Sequence, residues 1–476
     1  MSRYISGQCR TQATLFPEVL DDFISAENPI RVIDVFISEL DLNNLEFQRA
    51  TPKDTGRPGY SPAIMMKLYL YGYLNRIQSS RRLERETQRN VELMWLLERL
   101  SPDFKTIADF RKDNAKGIKN VCRTFVQLCR KMHMFNDAVV AIDGSKFKAV
   151  NNKRKNYTPK KVDAFIERVE KHIASYMNEL DKADREDAVD NTPIQEKIDW
   201  LKTRLDELNI LKEKVNSHPD KQVSTTDPDS RLMKVTGMIR QVGYNLQSAV
   251  DTQHHLIVSH KVTNIVTDRG QLFKEAKRAQ SALGQMDITV LADKGYYSGQ
   301  DIKDTLDAGM KVFVPKGDTS SSQNKGIFHR NEFRYDKAQD AYICPANKVL
   351  KHRFDSFEHG LTLKKYFSDN LTCRACEMQQ ACSTSKSPRR LTRWEHEEVL
   401  EKMELELKSK PDSMLIRKQT VEHPFGTIKA WMGASHFLTK GLTKVNTEMN
   451  LFVLAYNLKR MISIFGTAAL INKLMA

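Results

Sequence analysis

No part of this chain is apolar for long enough to cross a bilayer. The most apolar stretch, residues 451–474, is interrupted by Asn457, Lys459 and Arg460. It reads as a core helix, because a span needs about 20 consecutive apolar residues. An export signal is also not expected: Met1-Ser2-Arg3-Tyr4 leads into Gln8-Cys9-Arg10, not into an apolar segment. Cysteine is scarce and odd in number, with seven in 476 residues, four of them clustered. Without export, metal binding is a better reading of that cluster than disulfides. Acid is in short supply: 60 Asp and Glu against 75 Lys and Arg give a net charge of +15 and a pI near 9.3. That balance favours a polyanionic partner, nucleic acid ahead of an acidic membrane. A hydrophobic content of 40% argues against a disordered chain, and the length allows two to four domains.

Residues 1–136 read as a helical region. Residues 29–37 form an amphipathic pattern opening at Pro29, and 56–60 are a Gly/Pro loop. Ser61-Pro62 is a cap with proline in the first turn, leading into Ile64, Lys67, Leu68 and Tyr71. Further short helices are expected near Ser79-Ser80, near Val91 and after Phe104-Lys105-Thr106. Short helices with tight joints suggest a helix-turn-helix-like module. Residues 51–120 hold 14 Lys/Arg against 8 Asp/Glu. Arg76, Arg81, Arg82, Arg85 and Arg89 gather across one joint and helix, and Lys105, Arg111 and Lys112 flank a candidate recognition helix. Docking on duplex DNA is the functional reading, and a helical domain with a basic face is the plainer one.

From residue 137 the pattern turns α/β. The run Ala138-Val139-Val140-Ala141-Ile142 stops on Asp143, followed by Gly144. Two capped, periodic helices then read as a hairpin inserted at 157–216, a charged spacer or an oligomer contact. Strand patterns resume at 235–239, 244–251 and 256–262, and Asp268 is expected to cap a helix. The run Ile288-Thr289-Val290-Leu291-Ala292 stops on Asp293, before Lys294-Gly295-Tyr296, and a strand covers 311–315. This order fits a mixed α/β sheet of the ribonuclease-H type.

Two strands that each end on an aspartate place carboxylates where α/β folds put their sites. Like charges held close call for a cation, and hard oxygen donors suit magnesium. Asp251 and Asp268 compete for the second position; Asp251 fits better as the start of the Thr252-Gln253-His254 turn. Glu422 and Lys429 are two helical turns apart, so one face presents a carboxylate for metal and an ammonium for phosphate. Thr420 as cap would set Glu422 in a first turn, with Pro424 tolerated there. Cys344, Cys373, Cys376 and Cys382 supply four thiolates, enough for a closed structural zinc site, with free buried thiols as the alternative. Arg374, Lys386, Arg389, Arg390 and Arg393 around them are candidate phosphate contacts or solvated surface.

The segments Ala141-Ile142-Asp143-Gly144-Ser145-Lys146, Leu291-Ala292-Asp293-Lys294-Gly295-Tyr296 and 421–429, Val-Glu-His-Pro-Phe-Gly-Thr-Ile-Lys, resemble the DDE transposases of bacterial insertion sequences. Residues 20–34, the Gly56-Arg57-Pro58-Gly59-Tyr60-Ser61-Pro62 segment and the cysteine segment are similar to one branch of that family. The resemblance implies a helical DNA-binding region at 1–136 and a ribonuclease-H-like catalytic domain at 137–476, with a cysteine-containing insertion at 318–395. It implies that Asp143, Asp293 and Glu422 hold two Mg2+ or Mn2+ ions. Cleavage at the terminal inverted repeats would be followed by strand transfer into target DNA. Arg81, Arg82, Arg85, Arg89, Lys105, Arg111, Lys112 and Lys429 are the expected DNA contacts. A homo-oligomer on double-stranded DNA, no membrane partner and a cytoplasmic, nucleoid-associated location follow from the same resemblance. Of the Tyr/Arg/Glu/Lys signature, Lys429 matches, whereas Lys418 stands for the arginine and Leu415 for the tyrosine. A DNA-binding repressor or inactive remnant, and a carboxylate–metal nuclease without joining activity, are the alternatives.

Overall fold

The computed structural model describes residues 19–51, 59–183, 191–235, 239–317, 326–383, 385 and 387–476. Residues 56–58 of the expected loop, 236–238 of one expected strand, 318–325 of the cysteine insertion and Lys386 lie outside them. The fold is mixed α/β and divides into two compact units. One comprises Met1–Asp268, Arg278–Gln285 and Lys418–Ala476; the other comprises Arg269–Lys277 and Met286–Arg417.

In the first unit, the N-terminal helices form where sequence chemistry starts them. Ser61 Oγ accepts from Ala63 N–H, with Pro62 at the first helical position of Pro62–Leu74. Asp103 accepts from the N–H groups of Lys105 and Thr106, opening Phe104–Asp113. The helix Pro62–Leu74 is apolar on every side and sits in the core, with Leu68, Tyr69, Leu70 and Tyr73 sealed from solvent. Its partner is the C-terminal helix Leu442–Phe465: Phe452 meets Tyr73 edge-on at 4.6 Å.

That C-terminal helix explains the polar breaks in the apolar tail. The strand Arg240–Asp251 pairs antiparallel with Val139–Lys148, with Arg231–Lys234 and with Ile257–Thr263. Asn457 gives its amide to Ile257 O and accepts Ile257 N–H, both at 2.9 Å. Asn446 treats Val262 the same way, accepting its N–H at 3.0 Å and donating to its carbonyl at 3.3 Å. The helix thus satisfies strand backbone that a sheet edge would leave open.

The helices Pro159–Ala183 and Thr192–Ser217 form an antiparallel hairpin, with Asp163 and Lys212 paired at 2.8 Å. A two-stranded ladder, Asn156–Tyr157 with Val223–Ser224, closes its base.

In the second unit, Thr289–Ala292 and Lys311–Phe313 pair in parallel. A separate five-stranded antiparallel sheet runs in the order Leu391–Trp394, Leu361–Phe367, Val349–Glu358, Ala341–Ile343, Arg334–Asp336. Its core is Phe333, Tyr342, Leu350, Tyr366 and Leu391. No helix among the described residues is long and apolar enough to cross a membrane.

Candidate active site and nucleic-acid interface

The strand carrying Asp143 does not stop there. It runs on to Lys148, and Asp143 lies mid-strand opposite Ser248. The apolar pattern ends at Ile142 because polar groups flank the ladder beyond it, while the backbone pairing continues. Gly144 is therefore no turn residue. A Cβ there would stand 2.7 Å from Gln247 Nε2 and closer still to Asp268 Oδ1.

Asp268 is no helix cap either. The next helix starts at Leu272, and the Asp268 carboxylate instead accepts from Lys146 Nζ at 2.9 and 3.0 Å. Asn245 and Gln247 each donate to its Oδ1 at 2.8 Å. This half-buried network was not legible in the sequence, since its four members come from three separate segments. Asp251 does begin the expected turn, accepting His254 N–H at 2.6 Å. Burial pushes its carboxyl up to about 6, against the opposing pull of His254.

Glu422 also sits differently from its expected place. Its helix begins at Ser413 and ends at Gly426, so Glu422 lies in the third turn, not at an open N-terminus. Thr420 is buried and does not cap it. Leu415, Arg417, Lys418 and Gln419 all favour helix, which carries the element upstream of the expected start. Pro424 lies inside this helix, where it donates no backbone N–H. The chain then widens into a π-helical segment, Thr427–Trp431, with Met432 N–H reaching Thr427 O at 2.8 Å.

The wider turn changes the phase between Glu422 and Lys429. Glu422 faces solvent, its side chain 65% exposed with Lys418 4.0 Å away. Lys429 turns inward over the Phe147 ring, 4.7 Å from its centroid. Burial lowers its ammonium pKa, the Asp143 carboxylate acts to raise it, and Lys146 lowers it further. Lys429 and Asp143 thus belong to one unit, within range of each other's charge. The loop behind the π segment is pinned in turn: Phe437 N–H donates to Lys148 O at 2.9 Å, and buried Glu448 accepts from Leu438 and Thr439.

Beside Glu422, His423 is locked. Tyr456 donates its hydroxyl proton to His255 O at 2.6 Å, so His423 Nδ1–H donates to the Tyr456 oxygen at 2.8 Å. The His423 ring also stacks on His255 at 5.0 Å.

In the second unit the strand Thr289–Ala292 ends as expected and Asp293 follows it. Asp293 caps the short 3-10 turn Lys294–Tyr296, accepting Gly295 N–H at 2.8 Å. Arg417 stands 3.9 Å from its carboxylate. That arginine, missed in the sequence, lies one residue before Lys418, the position where the family signature has its arginine.

Cys344, Cys373, Cys376 and Cys382 line one cavity of about 40 Å³. Lys348 N–H donates to Cys344 Sγ at 3.3 Å. Burial and the neighbouring cysteines push the Cys373 and Cys382 thiols up. Among the described residues, no three His, Cys, Asp or Glu side chains are close enough together to hold a metal ion. Two basic neighbours are structural. Arg389 donates to the carbonyls of Phe328 and Cys382, and buried Arg393 pairs with Glu401 over the Tyr335 ring. Arg374 and Arg390 remain exposed.

Of the expected DNA contacts, Arg81, Arg82, Arg85 and Arg89 lie exposed on or just after the helix Ser80–Thr87, and Lys105 and Lys112 are exposed on Phe104–Asp113. Arg89 pairs with Glu86, and Arg81 lies over Phe104. Arg111 differs. It donates to buried Tyr73 at 3.3 Å and covers Tyr69, so its charge serves the interior of the helical bundle. Trp431, also missed, is 61% exposed with Arg76 and Lys459 against its ring.

Two family models match this chain: a transposase domain, DUF772, over residues 18–113, and a transposase DDE domain over residues 343–462. Both matches support a DDE transposase of an insertion sequence, a class of enzyme that cleaves DNA and transfers strands. A DDE domain implies a ribonuclease-H-like fold, in keeping with the mixed α/β architecture. Among solved structures, a piggyBac transposase synaptic complex with hairpin DNA matches at 9% identity and a TM-score of 0.30, covering 94% of this chain and 79% of that one. No curated protein matches.

Proposed function

We propose that this transposase cuts at the terminal inverted repeats of its own element and joins the freed ends to target DNA, with Asp143, Asp293 and Glu422 drawn together as ligands only when two Mg2+ or Mn2+ ions bind with the DNA. The observation that carries this reading is the π segment after the Glu422 helix, which turns Lys429 inward over Phe147, where the Asp143 carboxylate acts on its charge. An acid that is half-buried next to a desolvated ammonium suits a scissile phosphate, whose oxygens the lysine can grip while the carboxylate faces a cation. The oxygen donors are of the right chemical type for a hard divalent ion. Bound magnesium would activate water or a 3′-hydroxyl and offset charge on phosphorus. Arg417 restrains the Asp293 carboxylate. Lys146 and Asp268 brace the strand under Asp143.

The exposed cations of the N-terminal helices dock the duplex, and two protomers hold two ends together. A structural zinc ion in the cysteine cavity would need Cys344, Cys373, Cys376 and Cys382 to close in around it, with Lys348 N–H supporting one sulfur. We expect Asp143→Asn, Asp293→Asn and Glu422→Gln each to reduce magnesium-dependent strand cleavage by at least a thousandfold while repeat DNA is still bound. Full cleavage by any of the three removes that residue from the site. Strand-transfer products separate a transposase from a nuclease that only hydrolyses, and a purified protein that binds repeats without cutting them is a repressor or remnant.

A further inference from the structure

The helical hairpin stands apart from the rest of the chain in its charge. The helix Pro159–Ala183 carries five Lys/Arg and five Asp/Glu, and Thr192–Ser217 carries five of each as well. The hairpin helices are neutral in a protein of net charge +15. A polyanion is therefore a poor fit for this surface.

Its apolar stripe is used up internally: Ile198, Leu201, Leu208 and Val215 are buried. Yet the opposite flank of the same helix keeps Trp200 67% exposed and Ile210 54% exposed. With Glu196, Thr203, Glu207 and Lys214 they follow the spacing 196–200–203–207–210–214. That alternation of fours and threes makes a second, outward seam of the kind that pairs helices.

We propose that this outer seam of the helix Thr192–Ser217 is a contact surface for a second copy of the chain, lying antiparallel across a two-fold axis. The inference rests on the homo-oligomer reading above and names its surface. A single antiparallel register brings the apolar and charged positions into agreement. Trp200 meets the partner's Ile210, Thr203 meets the partner's Glu207, and Glu196 meets the partner's Lys214. The two-fold axis repeats each contact, as an isologous interface requires. Both large exposed apolar side chains are covered and both terminal charges find opposite partners.

Size sets the strength. The seam spans 18 residues, roughly 27 Å at 1.5 Å per residue, and one helix is about 10 Å wide. It covers roughly 300 Å² per partner, well below the ~800 Å² of a standard interface. Alone it pairs chains weakly; between two chains already on paired DNA ends it acts intramolecularly and at high effective concentration.

Sedimentation of the full-length protein without DNA tests this, alongside gel analysis of complexes holding two repeat ends. The wild type should self-associate reversibly. Glu196→Lys and Lys214→Glu should each weaken association severalfold, by setting like charges opposite one another. The double variant should restore it, because the pair is only exchanged. Trp200→Glu should abolish association and reduce two-end complexes, with cleavage of single ends unchanged. As a control on folding, the closed Asn156–Tyr157/Val223–Ser224 ladder lets residues 159–217 be replaced by a short turn, and that variant should also be monomeric. A wild type that stays monomeric at high concentration, or charge variants that associate like wild type, overturns the proposal. Neither result touches the cleavage reading, which the single-end assay reports separately.

Discussion

Gly144 shows how much one missing atom decides. The Lys146–Asp268 pair, braced by Asn245 and Gln247, closes over this glycine, and a methyl group there would force Asp268 aside. Gly144→Ala should cost about 1–3 kcal/mol in chemical denaturation, the range for overpacking. A neutral result would mean that the carboxylate moves freely. His260 makes a second residue-scale case. It is half-buried on the strand Ile257–Thr263, with Nε2–H donating to Asn450 Oδ1 at 2.7 Å, and desolvation lowers its pKa to about 4. An unfolded histidine titrates near 6.5, so the unfolded chain takes up the proton first on acidification. The stabilisation is complete above pH 6.5 and drains away as pH falls towards 4, by on the order of 3 kcal/mol at 1.36 kcal/mol per unit. His260→Gln should flatten that part of the stability profile. An unchanged acid limb would contradict this assignment. Asp143 itself was legible because apolar residues lead up to it. Its mid-strand position was not, because the hydrophobic pattern stops where both sides of the ladder become polar, and hydrogen bonding gives no sign in the sequence.

Among the elements, the Glu422 helix departs furthest from its expected form. The motif suggested a helix opening near Thr420, with proline in the first turn. The observed helix is longer, carries Pro424 inside and relaxes into a π turn. Residue spacing alone put Glu422 and Lys429 on one face; instead one faces solvent and the other turns inward over Phe147. Pro424→Ala should let the α-helix continue and rotate Lys429 away. Thermal stability should hold or rise while strand cleavage falls at least tenfold; unaltered cleavage would show that the turn does not set the lysine. The cysteine element was legible as a cluster from spacing alone, and its four residues do line one cavity. For zinc, metal analysis of purified protein should give about one equivalent, and Cys373→Ser should lose it and destabilise the second unit. Less than about half an equivalent would leave the cavity a plain thiol cluster.

At the level of the whole molecule, composition pointed to a nucleic-acid partner, and the family matches at 18–113 and 343–462 agree with a DNA-processing enzyme. The N-terminal cations were legible as a group. Burial sorted them, turning Arg111 towards Tyr73 and leaving Arg81, Arg82 and Arg85 outside. The two units distribute the acids: Asp143 and Glu422 belong to the first, Asp293 to the second. In the proposed mechanism all three serve the same pair of ions. Iron(II)-directed backbone cleavage tests it directly, since a redox-active ion in place of magnesium cuts the chain where it is bound. Cuts are expected near residues 143, 293 and 422 together, suppressed by excess magnesium and lost in Asp143→Asn. Cuts confined to one of the three segments, or unaffected by that substitution, would contradict it.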